Sequence, residues 1–282
     1  MIVIMKIIEP NVELWTPADN VSHVARCARI CYRKETGNDD ALYNSLIKRN
    51  HLSMFRHETS YYIVPIKYVP NWAYAMDRAK EMGAMIVGID ICNTKFKYYI
   101  VANGQWCIEH PKHIDCIKSF EVSEKEFKDD SEIAWNMMRY TFKVTTQIST
   151  SRELNRVSPN NIAEQSTRYV YEDGTICRPW WLIQELIAWG KDYLTNDYLT
   201  SCENAFETYK HLIDDYRMIR QDARGVLPLD TATVCAYTYS VREYRAILDL
   251  RYYGTTGQPH PNAKLIAGMI REQLMELGYD FR

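Results

Sequence analysis

The 282-residue chain has no tail of one charge: 34 Lys and Arg stand against 36 Asp and Glu, leaving a net charge of −2. That balance argues against nonspecific wrapping of nucleic acid, while leaving room for a local basic pocket around a small phosphate ligand. No apolar run approaches the ~20 residues of a membrane span. Residues 1–10 hold only a short apolar stretch with no small-residue cleavage site after it, so neither a span nor a secretory leader is expected, and the expected location is the cytoplasm. Glycine (11) and proline (10) are few, and no repeat, low-complexity tract or Gly/Ser linker interrupts the chain, which excludes fibrous and disordered classes. The eight cysteines spread from Cys27 to Cys235 without the dense spacing of a small secreted scaffold, so they are expected as reduced thiols.

What is present is apolar and aromatic: 46% of residues are hydrophobic and 12% carry aromatic rings, enough for a large core. The length suits one large domain or two small ones, at ~100–200 residues per domain. Without a linker, a single α+β domain over residues 1–282 is favoured. The Ile- and Val-rich first dozen residues predict a strand buried on both faces. Thr16, Pro17 and Asp19 predict a helix start, with Val21, Val24, Ala25 and Ala28 following at helical spacing. Helices are also predicted over 40–49, 72–82, 181–193, 197–220, 241–250 and 261–277, and a capping box at 123–126 predicts one helix to about 139. Strands are predicted over 61–68, 141–146 and 231–239. Asn103-Gly104, whose residues tolerate positive φ, predicts a hairpin joining 95–102 to 105–109.

The densest polar cluster runs from Glu153 to Tyr169 and lacks a regular apolar face. Arg156, Arg168 and the hydroxyls of Ser158, Ser166 and Thr167 can hold a phosphate by charge-assisted hydrogen bonds, while Glu153, Glu164 and Gln165 can read polar edges. Taken alone, the segment reads equally as a solvated loop with weak surface ion pairs. Arg224, beside Gly225 and Pro228, also suits a simple helix stop. Arg242, Arg245 and Arg251 crowd a short helix and its end, where cations already favour the dipole.

In order, these clusters resemble the motifs of the flavin-dependent thymidylate synthases. The family pattern is Glu-Leu-x-Arg-His-Arg, seven residues, then Ser-x-Arg-Tyr; here Arg156 stands at the first arginine, and residues 159–165 separate Ser158 from Ser166-Thr167-Arg168-Tyr169. Upstream, Cys27 to Tyr32 and His51-Leu52-Ser53 through His57 resemble the family's early helix and its His-x-Ser/Thr-x-x-Glu-His segment. Downstream, Ala223-Arg224 with Leu227-Pro228, Arg242 with Leu248 to Arg251, and His260-Pro261 resemble its closing motifs. The resemblance spans about residues 20–275, with an insertion at about 66–140 that a longer-chain subgroup shares. Within that insertion, His110, His113 and Cys116 are spaced like zinc ligands, but no fourth is evident and no metal site is expected. The departures are local. Val157 and Ser158 replace the His and second Arg of the triplet, Arg56 replaces a carboxylate, and Ser240 and Ala246 stand where the family often has Asn.

The resemblance implies a largely antiparallel sheet packed with helices, assembled as a homotetramer whose active sites draw on several subunits. It implies reductive methylation of dUMP to dTMP, with FAD as cofactor and methylenetetrahydrofolate and NADPH as co-substrates. Arg251 and His51 are then the catalytic candidates. Glu153, Arg156, Glu164, Gln165, Ser166, Thr167, Arg168, Arg224 and Arg251 would bind the nucleotide. His51, Ser53, Arg156, Val157, Ser158, Ser240, Arg242, Ala246 and His260 occupy cofactor positions. The changed flavin-side residues leave two alternatives open: a related carbon-5 modification such as hydroxymethylation, or a non-catalytic nucleotide-binding relative.

Overall fold

A computed structural model describes residues 5–73, 84–88, 97–157, 161–183 and 193–281. Its strands are β1 (Lys6–Ile8), β2 (Asn11–Trp15), β3 (Thr59–Pro65), β4 (Ala84–Gly88), β5 (Lys97–Asn103), β6 (Glu121–Val122), β7 (Arg139–Gln147), β8 (Ile162–Glu164), β9 (Thr175–Cys177) and β10 (Ala232–Ser240). They form two four-stranded antiparallel sheets, ordered β2-β7-β10-β8 and β4-β5-β3-β6, and a short parallel pair, β1-β9. Helices pack with these sheets, giving the mixed helix and antiparallel sheet that the resemblance implies.

The first sheet carries the core. β7 and β10, rich in Thr, Val and Tyr, pair over their full lengths from Gln147↔Ala232 to Arg139↔Ser240. Phe142, Val144, Tyr237 and Tyr239 pack there with Tyr244 and Leu248 of the helix Val241–Leu248 and with Ile266 and Leu274 of the helix Pro261–Glu276. Each such buried side chain contributes roughly 1.5–3 kcal/mol relative to exposure. The second sheet has its own cluster, in which Tyr62, Tyr98 and Ile100 meet Trp106 and Ile117. Among the described residues, no helix is long and apolar enough to cross a membrane.

Several boundaries differ from the sequence expectation. The first dozen residues form two strands, and in the edge strand β2 the buried Val12 and Trp15, three residues apart, face opposite sides and pack into different clusters, while Glu13 is exposed. The first helix starts at Asn20, where Asp19 caps it by accepting from the Ser22 amide at 2.8 Å, so Pro17 lies outside. No hairpin forms at Asn103-Gly104. Instead Asn103 Oδ1 accepts from the Trp106 amide at 2.9 Å and starts the helix Gly104–Glu109, which buries Trp106. Gly104 is needed for close approach, since a Cβ there would lie 2.5 Å from Glu58 Oε2.

The capping box at Ser123 is present, but its helix stops at Asp130 and a second one, Glu132–Met137, begins on a Ser131 cap. Lys97 and Tyr99 of β5 hold Asp130 from the side, each at 2.6 Å, at this break. The strand predicted over 61–68 ends at Pro65 in a 3-10 turn, Ile66–Tyr68. The predicted helix over 197–220 instead runs Tyr193–Asp214. Most of the helices predicted over 72–82 and 181–193 lies outside the described residues. The helix Val241–Leu248 passes into a π turn, Asp249–Tyr253, closed by Gly254 at φ 71°, where a side chain would meet the Gly257 carbonyl at 2.9 Å.

Candidate nucleotide site

Residues 165–170 are pinned from both sides. The Gln165 amide donates to the Val234 carbonyl on β10 at 2.9 Å, and the Ser166 amide to the Cys31 carbonyl at 3.1 Å. The Ser166 carbonyl then accepts from the Tyr169 and Val170 amides, closing a turn. Tyr32 and Tyr169 stack with ring centroids 5.8 Å apart. The early Cys27–Tyr32 motif therefore supports the Ser166 loop directly, although about 130 residues separate them in sequence.

Onto this turn the segment 220–224 lays its arginines. Arg224 Nη1 donates to Thr167 Oγ1 at 2.9 Å, Arg168 Nη2 to Gln221 Oε1 at 3.2 Å, and Arg220 Nη1 to the Tyr169 carbonyl at 2.6 Å. All three acceptors are neutral, and among the described residues none of these guanidinium groups forms an ion pair with a carboxylate. Arg168 and Arg224 are exposed. Three uncompensated cations over one turn repel each other, and an incoming phosphate relieves that repulsion while gaining charge-assisted hydrogen bonds.

Glu164, at the end of β8, is held by Ser151 Oγ at 2.7 Å, Thr233 Oγ1 at 3.3 Å and Asn155 Nδ2 at 3.4 Å. Asn155 in turn accepts from the Tyr237 hydroxyl at 2.9 Å. These contacts fix the strand that delivers the loop. Gln165 is buried and its amide nitrogen donates to both carboxyl oxygens of Glu172, at 3.2 and 3.4 Å. Glu172 is itself buried, and loss of hydration pushes its carboxyl up to about 7 despite that hydrogen bond.

Arg251 sits in the π turn and reaches the helix Ile148–Asn155, where its Nε and Nη2 both donate to the Glu153 carbonyl, at 3.0 and 2.8 Å. Its Nη1 edge has no partner among the described residues. The motifs around 153 and 251 are thus joined by a fork of hydrogen bonds.

The predicted cofactor residues divide by environment. His51, Ser53, Arg156 and Arg242 are exposed and make no side-chain hydrogen bond among the described residues. Ser240 is buried, its hydroxyl committed to a capping box with Glu243. His260 Nδ1 accepts from the Asn262 amide at 3.3 Å and caps the last helix. Val157 packs against the main core cluster, and Ala246 is exposed. Ser158 lies outside the described residues. Arg56 donates to Gln105 Oε1 at 2.6 Å. His110 and His113 pack with Trp72 and Trp106, and no described group of three His, Cys, Asp or Glu is placed to hold a metal.

Sequence reasoning missed a buried polar chain. His57 Nδ1, Thr238 Oγ1, Thr141 Oγ1 and His23 Nε2 lie in series at 2.7, 2.6 and 2.9 Å. Two hydroxyl protons cannot fill three contacts, so one imidazole N–H supplies the third and the chain has a direction. Burial pushes His57 down to about 3 and His23 down to about 4, keeping both rings neutral. Arg139 closes the group, donating to the carbonyls of Arg56, Glu58 and Thr238 and to Thr59 Oγ1. Nothing local in the sequence marks residues this far apart. Arg220 was missed for the same reason, since only the fold sets it beside the Ser166 loop; Glu172 is only seven residues from Gln165, but its burial is not legible in the sequence.

The chain is thus a mixed helix-and-sheet protein in which three arginines meet on the turn at Ser166. A family model described as thymidylate synthase complementing protein matches residues 97–277, and the chain belongs to that family. Among solved structures, the chain is similar to a UMP/dUMP methylase, PolB from Streptomyces cacaoi. With 5-Br dUMP bound, that protein is 18% identical at a TM-score of 0.46, covering 97% of this chain and 93% of the other. With 5-Br UMP bound, the values are 17%, 0.45, 97% and 92%. No curated protein matches the chain.

Proposed function

We propose that the protein is a flavin-dependent thymidylate synthase that converts dUMP to dTMP, working as a homotetramer built from single domains with an insertion at about 66–140. Family membership supports the uracil nucleotide as substrate. The observation that carries the reading within this chain is the convergence of Ser166, Thr167, Arg168 and Arg224 on one turn, each guanidinium held by a neutral acceptor. Ser166, Arg168 and Arg224 hold the nucleotide phosphate, and Glu164 and Gln165 shape the loop that positions it. Glu153 and Arg156 are assigned to the nucleotide by their motif positions.

Arg251 is the group that faces the uracil ring. Its Nε and Nη2 are anchored on Glu153, which leaves the Nη1 edge to donate to a ring carbonyl. A fixed guanidinium stabilises negative charge growing on the ring without surrendering its own proton. No cysteine nucleophile is required, in keeping with thiols such as Cys27 and Cys235, which burial holds above their ordinary values.

The donor set fits FAD in part. His51, Ser53, Arg156 and Arg242 present an imidazole, a hydroxyl and two guanidinium groups, all exposed and unpartnered among the described residues, and this chemistry suits a diphosphate. When bound and reduced, FAD supplies hydride, with methylenetetrahydrofolate as one-carbon donor and NADPH as reductant. His51, Ser53, Arg156 and Arg242 would hold that group. Val157, turned to the core, and Ser240, closed in its cap, contribute backbone only. Because fewer side chains remain for the flavin, hydroxymethylation and a non-catalytic role are the outcomes against which the reading is tested. The test is mass analysis of the nucleotide after incubation with dUMP, methylenetetrahydrofolate, FAD and NADPH: a methyl group on carbon 5 supports the reading, and an unchanged nucleotide overturns it.

A further inference from the structure

We propose that the cavity enclosed by the start of the first helix, β3, β7 and the segment 121–128 is a binding site for a small monocarboxylate, whose two oxygens Arg139 and His23 hold. The cavity has a volume of about 310 Å³, at the lower end of small-ligand pockets. It is separate from the nucleotide site, since none of residues 164–169, Arg224 or Arg251 lines it. It does not depend on how the Ser166 turn is read.

Arg139 supplies the charge. Four of its five guanidinium N–H groups are spent on neutral acceptors: Nη1 donates to the Glu58 carbonyl and Thr59 Oγ1, and Nη2 to the carbonyls of Arg56 and Thr238. The fifth, on Nε, has no partner among the described residues, and no carboxylate there forms an ion pair with this arginine. The acid that acts on it most, Glu243, has its Oε2 committed to the Ser240 amide and hydroxyl at 2.6 and 2.9 Å. A guanidinium drawn out of water without a counterion is costly, and an anion in the cavity supplies one.

His23 supplies the second donor. Arg139 and Thr141 are two residues apart on β7 and share one face, and Thr141 Oγ1 contacts His23 Nε2 at 2.9 Å. His23 is 4% exposed, yet its Nδ1 has no partner among the described residues. The direction of the buried chain decides what that nitrogen is. At the far end His57 Nε2 is buried without a partner, and an orphaned N–H is rarer there than an orphaned acceptor. His57 therefore carries its proton on Nδ1 and donates to Thr238, Thr238 to Thr141, and Thr141 to His23 Nε2. The proton of His23 is then on Nδ1. Two unspent donors, one of them charged, line one cavity, and a carboxylate offers an oxygen to each. Trp15, Tyr61, Tyr140 and Val122 give the ligand's body an aromatic and apolar wall, while Glu121 and Glu124, against the single Lys128, disfavour a second negative charge.

The experiment is nitrogen NMR of the histidine rings in the full chain, titrated at fixed pH and ionic strength with benzoate, its uncharged analogue benzamide, and inorganic phosphate. Benzoate should bind saturably with a Kd of about 1 mM or below, and benzamide and phosphate at least about tenfold more weakly. The His23 ring nitrogens should shift along the benzoate titration, with Nδ1 the protonated one. Arg139→Gln should weaken benzoate at least about tenfold. Should that variant fail to fold, the His23 response of the unaltered chain decides. Absence of saturable benzoate binding, saturation that leaves the His23 nitrogens unmoved, a proton on Nε2 of His23 in the bound state, or affinity equal to that of benzamide or phosphate each overturns the carboxylate site. So does a folded Arg139→Gln that binds benzoate as tightly as before. All of these leave the proposed function standing.

Discussion

Glu172 offers a quantitative test of how the Ser166 loop is held. Its carboxyl is 4% exposed, and its hydrogen-bond partner on the loop side is the Gln165 amide. Loss of hydration, the largest effect, raises it from its ordinary 4.5 to about 7, with Arg33 opposing weakly and Asp173 adding to the rise. The folded chain therefore binds this proton more tightly than the unfolded chain. Its contribution to stability is complete below pH 4.5 and is lost as pH rises toward 7. At 1.36 kcal/mol for each pH unit between the two values, the loss is roughly 3 kcal/mol above pH 7. Glu172→Gln keeps the shape and the acceptor for Gln165 but cannot ionise. It should be nearly neutral at pH 4.5 and stabilising by up to about 3 kcal/mol at pH 8. Urea denaturation at both values measures this as a shift in midpoint at constant slope. An equal shift at both pH values, or none at pH 8, would show that Glu172 is not a buried carboxyl of raised pKa.

Three further outcomes are expected. In the Glu172→Gln background, stability should fall between pH 6.5 and 5 by on the order of 3 kcal/mol, because His23 and His57, depressed to about 4 and about 3, stay neutral when folded while the unfolded chain takes up protons; urea midpoints that do not change over that range would contradict the burial of the chain they form. Arg251→Ala should lower turnover by ~10²–10³ with flavin retained, and Arg251→Lys should also be poor because an ammonium cannot reproduce the planar fork to Glu153; near-normal kcat in steady-state assays rejects the role. Arg168→Ala and Arg224→Ala should each weaken dUMP binding far more than deoxyuridine binding, as read by calorimetry, and equal losses for both ligands would make these arginines structural.

Local chemistry made part of this fold readable in advance. The Ser123 capping box and the Pro261 helix start each satisfy backbone groups within a few residues, so sequence spacing reveals them. Asn103-Gly104 shows where that stops. The same dipeptide can turn a hairpin or cap a helix, and what decides is tertiary: Trp106 has a core to enter, and Glu58 crowds Gly104. The Ser166 turn and Arg224 were legible as motif residues, but their meeting depends on β8 pairing with β10 and on the Cys31 carbonyl. Arg220 and Glu172 carry no motif. Their importance comes from an uncompensated charge or a lost hydration shell, and those are properties of the folded surroundings rather than of spacing. The His57–Thr238–Thr141–His23 chain is more hidden still, since it joins four sequence-distant regions through single hydroxyls.

Methyl transfer to carbon 5 of deoxyuridylate is tested most directly by the mass of the nucleotide product formed by the purified chain. With dUMP, methylenetetrahydrofolate, FAD and NADPH together, the expected product has the carbon-5 hydrogen replaced by a methyl group, is absent when the flavin or the folate is left out, and is lost in Arg251→Ala. A hydroxymethyl product, or an unchanged nucleotide from protein that binds both dUMP and FAD, would contradict it.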